Sequence, residues 1–376
     1  MTSVLQQLLD RHVARGTVPG AVASLGAGEP EIAAAGLMSV GGPPMRADAI
    51  MRVQSMTKAM TAVAALRLIE EGRLALDTSV EPWLPELADR QVLRSPTADL
   101  ADTSPAVRAI TLRHLLTCTS GYGMVWTDCP LHRAMADSAV AAGAEPVTLG
   151  ADEWLARLAA LPLSFQPGEG WRYHHSFAIL GILIARVVGR PLQDHLADDL
   201  FGPLGLGDTG LWVPAEDVGR LPAGYRHTED GLTELEPAAG GFYAEPPPFD
   251  VSHGELVSTI GDYSRFARML ADGGRFEGRQ IVSDEHLRLM TTDQVPEAAK
   301  MPDSFFPGFW DSTGWGFGVG VETNGPRAGG CGWSGGLGTN FFVDPDGTVG
   351  VLLTQVEMGE RMGTLLTEFH SLADAT

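Results

Sequence analysis

The spacing of apolar and polar positions marks out the elements of this chain. In "MTSVLQQLLDRHVARGTVPG", Val4, Leu5, Leu8, Leu9 and Val13 recur at three- to four-residue intervals. That period puts them on one side of an amphipathic helix. Two short apolar runs follow, over residues 20–26 and 31–37, around a Gly-Glu-Pro turn; they predict a pair of strands. Over residues 55–71 the pattern changes. Met56, Ala59, Met60, Val63, Leu66 and Ile69 spread over much of the helical circumference, which predicts a helix buried between layers. Gly72 supplies its stop.

Residues 73–215 carry helix signals interrupted by prolines, among them Pro82, Pro85, Pro105 and Pro130. "TLRHLLTCTSGYG" predicts a short helix ending in a glycine-containing loop. "ADEWLARLAAL" and "SFAILGILIARVVG" predict longer helices, and Pro246-Pro247-Pro248 an irregular loop. Beyond residue 251 strand signals return. "TIGDYSRFARMLADGG" predicts a helix capped by Thr259, and "GWGFGVGVE" a strand. "TNFFVDPDGTVGVLLTQ" predicts a hairpin around Asp344-Pro345-Asp346-Gly347, and "ERMGTLLTEFHSL" a closing amphipathic helix. Strands near both ends with helices between them predict an α/β (α+β) fold, an antiparallel sheet flanked by helices with a mostly helical domain inserted. Residues 1–72 and 251–376 would form the α/β domain and residues 73–250 the helical one, with the active site in the cleft between them.

A chain of 376 residues, 44% of them hydrophobic, can fill such a core. Lys and Arg number 26 against 47 Asp and Glu, a net charge of -21. A polyanion would be repelled, which excludes nucleic acid as a partner. Three cysteines, Cys118, Cys129 and Cys331, make no disulfide framework. The start shows no basic stretch leading into an apolar run. The most apolar segment, "FAILGILIARVVG", is short for a membrane span and contains Arg186. A cytoplasmic protein without membrane association is expected.

Two serines compete as nucleophile. Gly332-Trp333-Ser334-Gly335-Gly336 fits G-x-S-x-G, but a nucleophile elbow needs a helix after the serine. Here Gly335, Gly336 and Gly338 follow, each weakening a helix by roughly 1 kcal/mol against alanine. Ser55 and Lys58, in "SMTK", stand three apart at the start of a buried helix, on one face. A serine hydroxyl attacks once a base takes its proton. A buried lysine whose pKa falls toward neutrality is such a base. The helix N-terminus would help hold the developing negative charge. Tyr173, ahead of an apolar helix in "QPGEGWRYHHSFAILG", is a further acid or base beside a lysine. The glycine-rich stretch around Ser334 lets backbone N–H groups approach a bound carbonyl. His174 and His175 lack the spacing of a metal site.

Ser-Met-Thr-Lys, the Tyr173 segment and Trp333-Ser334-Gly335 occur in an order that resembles the class C β-lactamase and penicillin-binding-protein superfamily. The likeness is strongest to its family VIII carboxylesterases and related acyltransferases. "FQPGEGWRY", "GPLGLGDTGLWVP" and "GELVSTIGDYSRFARML" look like landmarks of the same superfamily. The resemblance implies a β-lactamase-like fold with no cofactor and no metal. Ser55 would be the acylated nucleophile, with Lys58 and Tyr173 sharing acid and base work. The N–H groups of Ser55 and Gly336 would form the oxyanion hole.

Two departures bear on substrate. His175 stands where β-lactamases usually carry Asn, and Trp333 where they carry Lys or His. A lysine there would help hold a β-lactam carboxylate; a tryptophan supplies an apolar face. His175 would either donate a hydrogen bond to substrate or pack. Trp333, Ser334, Gly335, Tyr122, Met124, Trp126, Phe242, Tyr243 and residues 305–310 are candidate pocket walls. The expected function is a serine hydrolase of ester, amide or thioester bonds acting on a small-molecule acyl donor. The alternative is an acyltransferase with an alcohol or amine acceptor. A β-lactamase and a silent binding protein rank below both.

Overall fold

Seven strands form one antiparallel sheet in the spatial order Thr313–Trp315, Gly320–Glu322, Cys331–Gly335, Thr339–Val343, Val349–Leu353, Gly20–Gly26, Glu31–Gly36. The computed structural model describes residues 2–143, 147–249 and 252–373. Strands from opposite ends of the chain meet in mid-sheet, with Val22 opposite Leu353. Val349–Leu353 is buried at every position, as a strand covered on both faces must be. The hairpin before it turns through Gly347 at φ +87°, where the Thr348 N–H donates to Asp346 Oδ1 at 2.8 Å.

One face of the sheet carries the helices Val4–Ala14 and Glu360–Ala373, packed on Ala21, Ala23, Phe342 and Leu352. Ser3 caps the first helix, accepting from the Gln6 N–H at 3.1 Å. Leu5, Leu8 and Leu9 are buried as expected, but Val4 is 63% exposed and His12 completes the buried stripe. Residues 5, 8, 9 and 12 follow the helical repeat, and Val4 lies about a quarter of a turn off the centre of that stripe.

The other face carries the helix Ile260–Ala271, capped by Thr259, whose hydroxyl accepts from the Asp262 N–H at 3.2 Å. Beside it lies the helix Thr57–Glu70, buried from Thr57 to Leu66. Its apolar residues face every direction and find neighbours in every direction. Met60, Val63 and Leu66 are fully buried, each contributing about 1.5–3 kcal/mol. The helix His175–Val188 packs behind it, and a single apolar cluster continues from Val22 and Phe341 through Val63 to Leu155 and Ile179.

"GWGFGVGVE" forms a tight hairpin rather than one strand, with Trp315 opposite Gly320. Gly318 sits at φ +76°, and a Cβ there would come within 2.7 Å of the Lys58 carbonyl oxygen. Glycine therefore lets this bend rest on the turn of helix that carries Lys58. The central segment holds helices and two small hairpins, Gln91–Leu93 with Thr103–Pro105 and Gly224–Thr228 with Gly231–Glu236. The domain boundary drawn at 250/251 lies outside the described residues; we propose the two-domain division on the strength of this topology. Among the described residues no single helix is long and apolar enough to cross a membrane.

Candidate active site

Ser55 occupies a 3-10 turn, Gln54–Met56, just ahead of the helix that the sequence would have begun at Ser55 itself. Gln54 takes φ +52°, uncommon for a side chain of its size. Its Nε2 donates to the Tyr243 hydroxyl at 3.0 Å, and the Met56 carbonyl accepts from the Tyr263 hydroxyl at 2.9 Å. The turn is thus held from both sides.

Lys58 lies one helical step further on and is fully buried. Its Nζ donates to Ser55 Oγ at 3.1 Å and also to the His253 carbonyl. Burial pulls the ammonium down to about 7, and the nearby Cys118 thiol opposes this only weakly. Among the described residues no carboxylate acts on it, so an ammonium here would have little compensation. The Nζ lies 4.4 Å from the centre of the Tyr173 ring.

Tyr173 reaches the same point from the chain entering the His175–Val188 helix. Burial raises its phenol above the ordinary value, while hydrogen bonds with Ser55 and Trp333 oppose the shift. The phenol is therefore protonated at neutral pH. Trp333 Nε1 donates to the Tyr173 hydroxyl at 2.6 Å. His174, next in sequence, has φ +94° and ψ -75°, a strained conformation for a residue with a side chain. Tyr173 and His174 both line the cavity despite being consecutive.

The strand Cys331–Gly335 closes the opposite side. At Gly335 a Cβ would fall 2.2 Å from Thr339 Oγ1 and 2.5 Å from the Val53 carbonyl oxygen. Glycine is required there for the strand to lie against the chain leading into Ser55. Gly336 follows, and a Cβ on it would be 3.7 Å from Gln54 Oε1. Gly320, on the neighbouring strand, leaves room for the Trp333 ring, which would sit 3.0 Å from a Cβ.

These pieces border a cavity of about 600 Å³, lined by Ser55, Tyr173, Trp333, Ser334, Gly335 and Gly336. Met124 and Trp126 border it as well, with Phe305, Phe306 and Phe309 extending an aromatic wall. The Trp333 ring stands 4.7 Å from Trp315 and 6.2 Å from Phe305. Four of the side chains expected on the walls stand elsewhere: Trp310 packs on Trp171 at 5.2 Å rather than lining the cavity, and Tyr122, Phe242 and His175 are also displaced. Tyr122 lines a separate small cavity with Leu131 and Leu158. Phe242 packs on Tyr243 at 5.4 Å, and Tyr243 is the one that lines the site. His175 is 1% exposed, with its Nε2 2.7 Å from the Val140 carbonyl oxygen and its ring stacked on Trp154 at 6.0 Å. Of the two alternatives for His175, packing fits this placement. Its neighbour His174 takes the wall position, with its ring 3.9 Å from that of His253.

Ser334 has a different environment from Ser55. Its hydroxyl accepts from Asn340 Nδ2 at 2.9 Å, and Asn340 Oδ1 lies 2.9 Å from His370 Nε2. Burial holds the His370 imidazole down to about 4, so that ring is neutral at physiological pH. An amide thus separates Ser334 from the nearest base in this chain of contacts.

Sequence reasoning missed His253, Glu255 and Gln54 on the cavity wall, and the hydrogen bond from Trp333 to Tyr173. The first two lie in "SHGELVSTIGDY", whose only local signal was two polar residues before a helix. The Trp333 N–H was legible as an available donor; its target was not. Among the described residues no three His, Cys, Asp or Glu side chains gather as metal ligands.

Comparison with known proteins agrees with this architecture. A protein of Mycobacterium tuberculosis is 36% identical over 315 residues, covering 81% of this chain and 76% of its own. Esterase EstB of Burkholderia gladioli is 32% identical over 343 residues, covering 87% and 82%. The solved structure of EstCE1, described as a hydrolase with promiscuous acyltransferase activity, superposes with a TM-score of 0.80 at 24% identity, over 97% of this chain and 96% of that one. The profile of the β-lactamase family matches residues 5–369, and the chain, with its β-lactamase-like fold, belongs to that family.

Proposed function

We propose that this protein is a serine esterase that works through an acyl-enzyme on Ser55. The observation that carries the proposal is the 3.1 Å contact between Ser55 Oγ and the buried Lys58 Nζ. Lys58, with its pKa near 7, holds an unprotonated amine in much of the population at neutral pH. That amine takes the Ser55 proton as Oγ attacks the ester carbonyl. Tyr173 stays protonated and serves as the acid: its oxygen accepts from Trp333, and its own O–H, beside Ser55, donates to the departing alkoxide. The N–H groups of Ser55 and Gly336 stabilise the oxyanion. Water then attacks the acyl-enzyme, with Lys58 and Tyr173 exchanging protons in reverse.

The aromatic wall of Trp333, Phe305 and Phe309 supports a neutral, apolar acyl or alcohol group. The esterase name of the Burkholderia relative supports the same class of reaction. Transfer to an alcohol or amine acceptor is the second reading, favoured by the volume of the cavity, which leaves space beside a short acyl chain.

Incubation with a fluorophosphonate followed by intact-protein mass spectrometry tests the proposal. A covalent adduct is expected that persists in Ser334→Ala and disappears in Ser55→Ala. No adduct on Ser55 would overturn it. Turnover of a 4-nitrophenyl ester with and without added alcohols then separates hydrolysis from transfer.

A further inference from the structure

The segment 253–255 touches the centre at each residue. The His253 carbonyl accepts from Lys58, and Gly254 lies in van der Waals range of the turn, a Cβ on it falling 3.8 Å from the Ser55 nitrogen. Glu255 is the third residue. It lines the cavity and is 3% exposed. Its Oε1 accepts from the Val147 N–H at 3.4 Å, and its Oε2 is buried with no hydrogen-bond partner among the described residues. An unpartnered carboxyl oxygen costs roughly 1–3 kcal/mol of lost hydration, so its presence in a cavity wall calls for a ligand group that completes it.

The surroundings narrow the kind of group. Tyr243 is a titratable neighbour of Glu255 on the cavity wall; His253 lines the same cavity, and burial keeps its imidazole neutral. Arg52 lies over the Tyr243 ring at 5.2 Å; its Nη donors go to the Pro222 and Pro237 carbonyls and to Gln355, with Glu236 at 3.9 Å, and its buried Nε has no partner among the described residues. No side-chain cation of the protein therefore reaches Glu255 among the described residues. Burial raises its carboxyl to about 8, so near pH 7 it is mostly protonated, and a cation beside it would favour the ionised form.

We propose that Glu255 is the recognition site for a protonated amine, and that the natural substrate carries such an amine on its acyl or alcohol part. This deepens the esterase reading and rests on it for the word substrate. When the ammonium binds, Glu255 loses its proton to solvent and the ion pair forms; one proton leaves for each ligand bound. Neutral apolar surface remains available for the rest of the molecule on the Trp333 and Phe305 side.

The test uses n-hexylamine and 1-hexanol, matched in length, titrated calorimetrically into the full-length protein at pH 7 in two buffers of different ionisation enthalpy. The amine should bind about tenfold or more tightly than the alcohol, the range expected of a charge-assisted hydrogen bond. It should release close to one proton, while the alcohol releases none. Glu255→Gln should abolish both the preference and the proton release while leaving hexanol affinity within about twofold. Equal binding of the two ligands by the unmodified protein, or amine binding without proton release, would overturn the proposal without reference to any variant. Retention of the amine preference in Glu255→Gln would do the same. Because none of these readouts needs turnover, a failure of Ser55 to acylate would be seen separately by mass spectrometry and would count against the esterase reading alone.

Discussion

Lys58 is the residue at which structure makes the sharpest demand. Burial, with no carboxylate partner among the described residues, brings its ammonium to about 7 from an ordinary 10.5. Folding therefore works against the protonated form. Between pH 7 and 10.5 the unfolded chain holds the proton and the native chain does not, so stability from this group rises with pH across that window. Below pH 7 the penalty is at its full extent, about 5 kcal/mol at 1.36 kcal/mol per unit. Replacing Lys58 by Met removes the penalty and also removes the hydrogen bonds to Ser55 and His253, which together contribute about 1–3 kcal/mol. Lys58→Met is thus expected to be more stable than the parent at pH 6, by roughly 2–4 kcal/mol after those losses, and to lose this advantage by pH 10. Urea unfolding followed by tryptophan fluorescence at the two pH values measures the difference. Activity should go the other way. In the parent, kcat/KM for a 4-nitrophenyl ester should rise with pH through about 7, falling close to tenfold from pH 8 to pH 6 as the base is protonated. Lys58→Met should lose at least about 10²-fold. A flat profile between pH 6 and 8, or a Met variant destabilised at pH 6, would mean that Lys58 is not the buried neutral base described here.

Three further outcomes follow from particular contacts. Tyr173→Phe should lower kcat by about 10² or more, measured on the same ester, because the proton donor proposed for the departing alkoxide is removed. Trp333→Phe keeps an aromatic ring but withdraws the N–H that holds the Tyr173 oxygen; kcat should fall by about five- to tenfold with KM little changed, the equivalent of about 1 kcal/mol. Gly335→Ala drives a methyl into Thr339 and the Val53 carbonyl; a loss of about 1–3 kcal/mol in urea unfolding should accompany a fall in fluorophosphonate labelling, and unchanged stability would count against the tight fit of strand and turn.

Much of this protein could be read without coordinates, because local chemistry dictates it. The all-round apolar pattern after Ser55 requires neighbours on every side, and the helix Thr57–Glu70 has them. The Asp344–Gly347 turn between two apolar runs admits little but a hairpin, and a hairpin forms there. The pairing of Ser55 with Lys58 follows from three residues of helix. Where the sequence was less informative, periodicity did not distinguish the middle of a face from its edge, as at Val4 and His12. Nor did alternation with glycine distinguish one strand from a hairpin in "GWGFGVGVE". A single positive φ at Gly318 made that difference.

The cavity wall lay beyond sequence for a related reason. Whether His174 or His175 faces the site, and whether Tyr243 or Phe242 does, depends on backbone angles such as φ +94° at His174, which neighbouring packing imposes. That the Trp333 indole donates to Tyr173, and that Glu255 lines the same cavity as the nucleophile, depends on segments brought together from distant parts of the chain. By itself the sequence determined the elements and the serine–lysine pair, since short-range sterics and hydrophobic period suffice for both. The tertiary structure decided which polar groups surround that pair and how dry they are, because desolvation and long-range contact are properties of the packed whole.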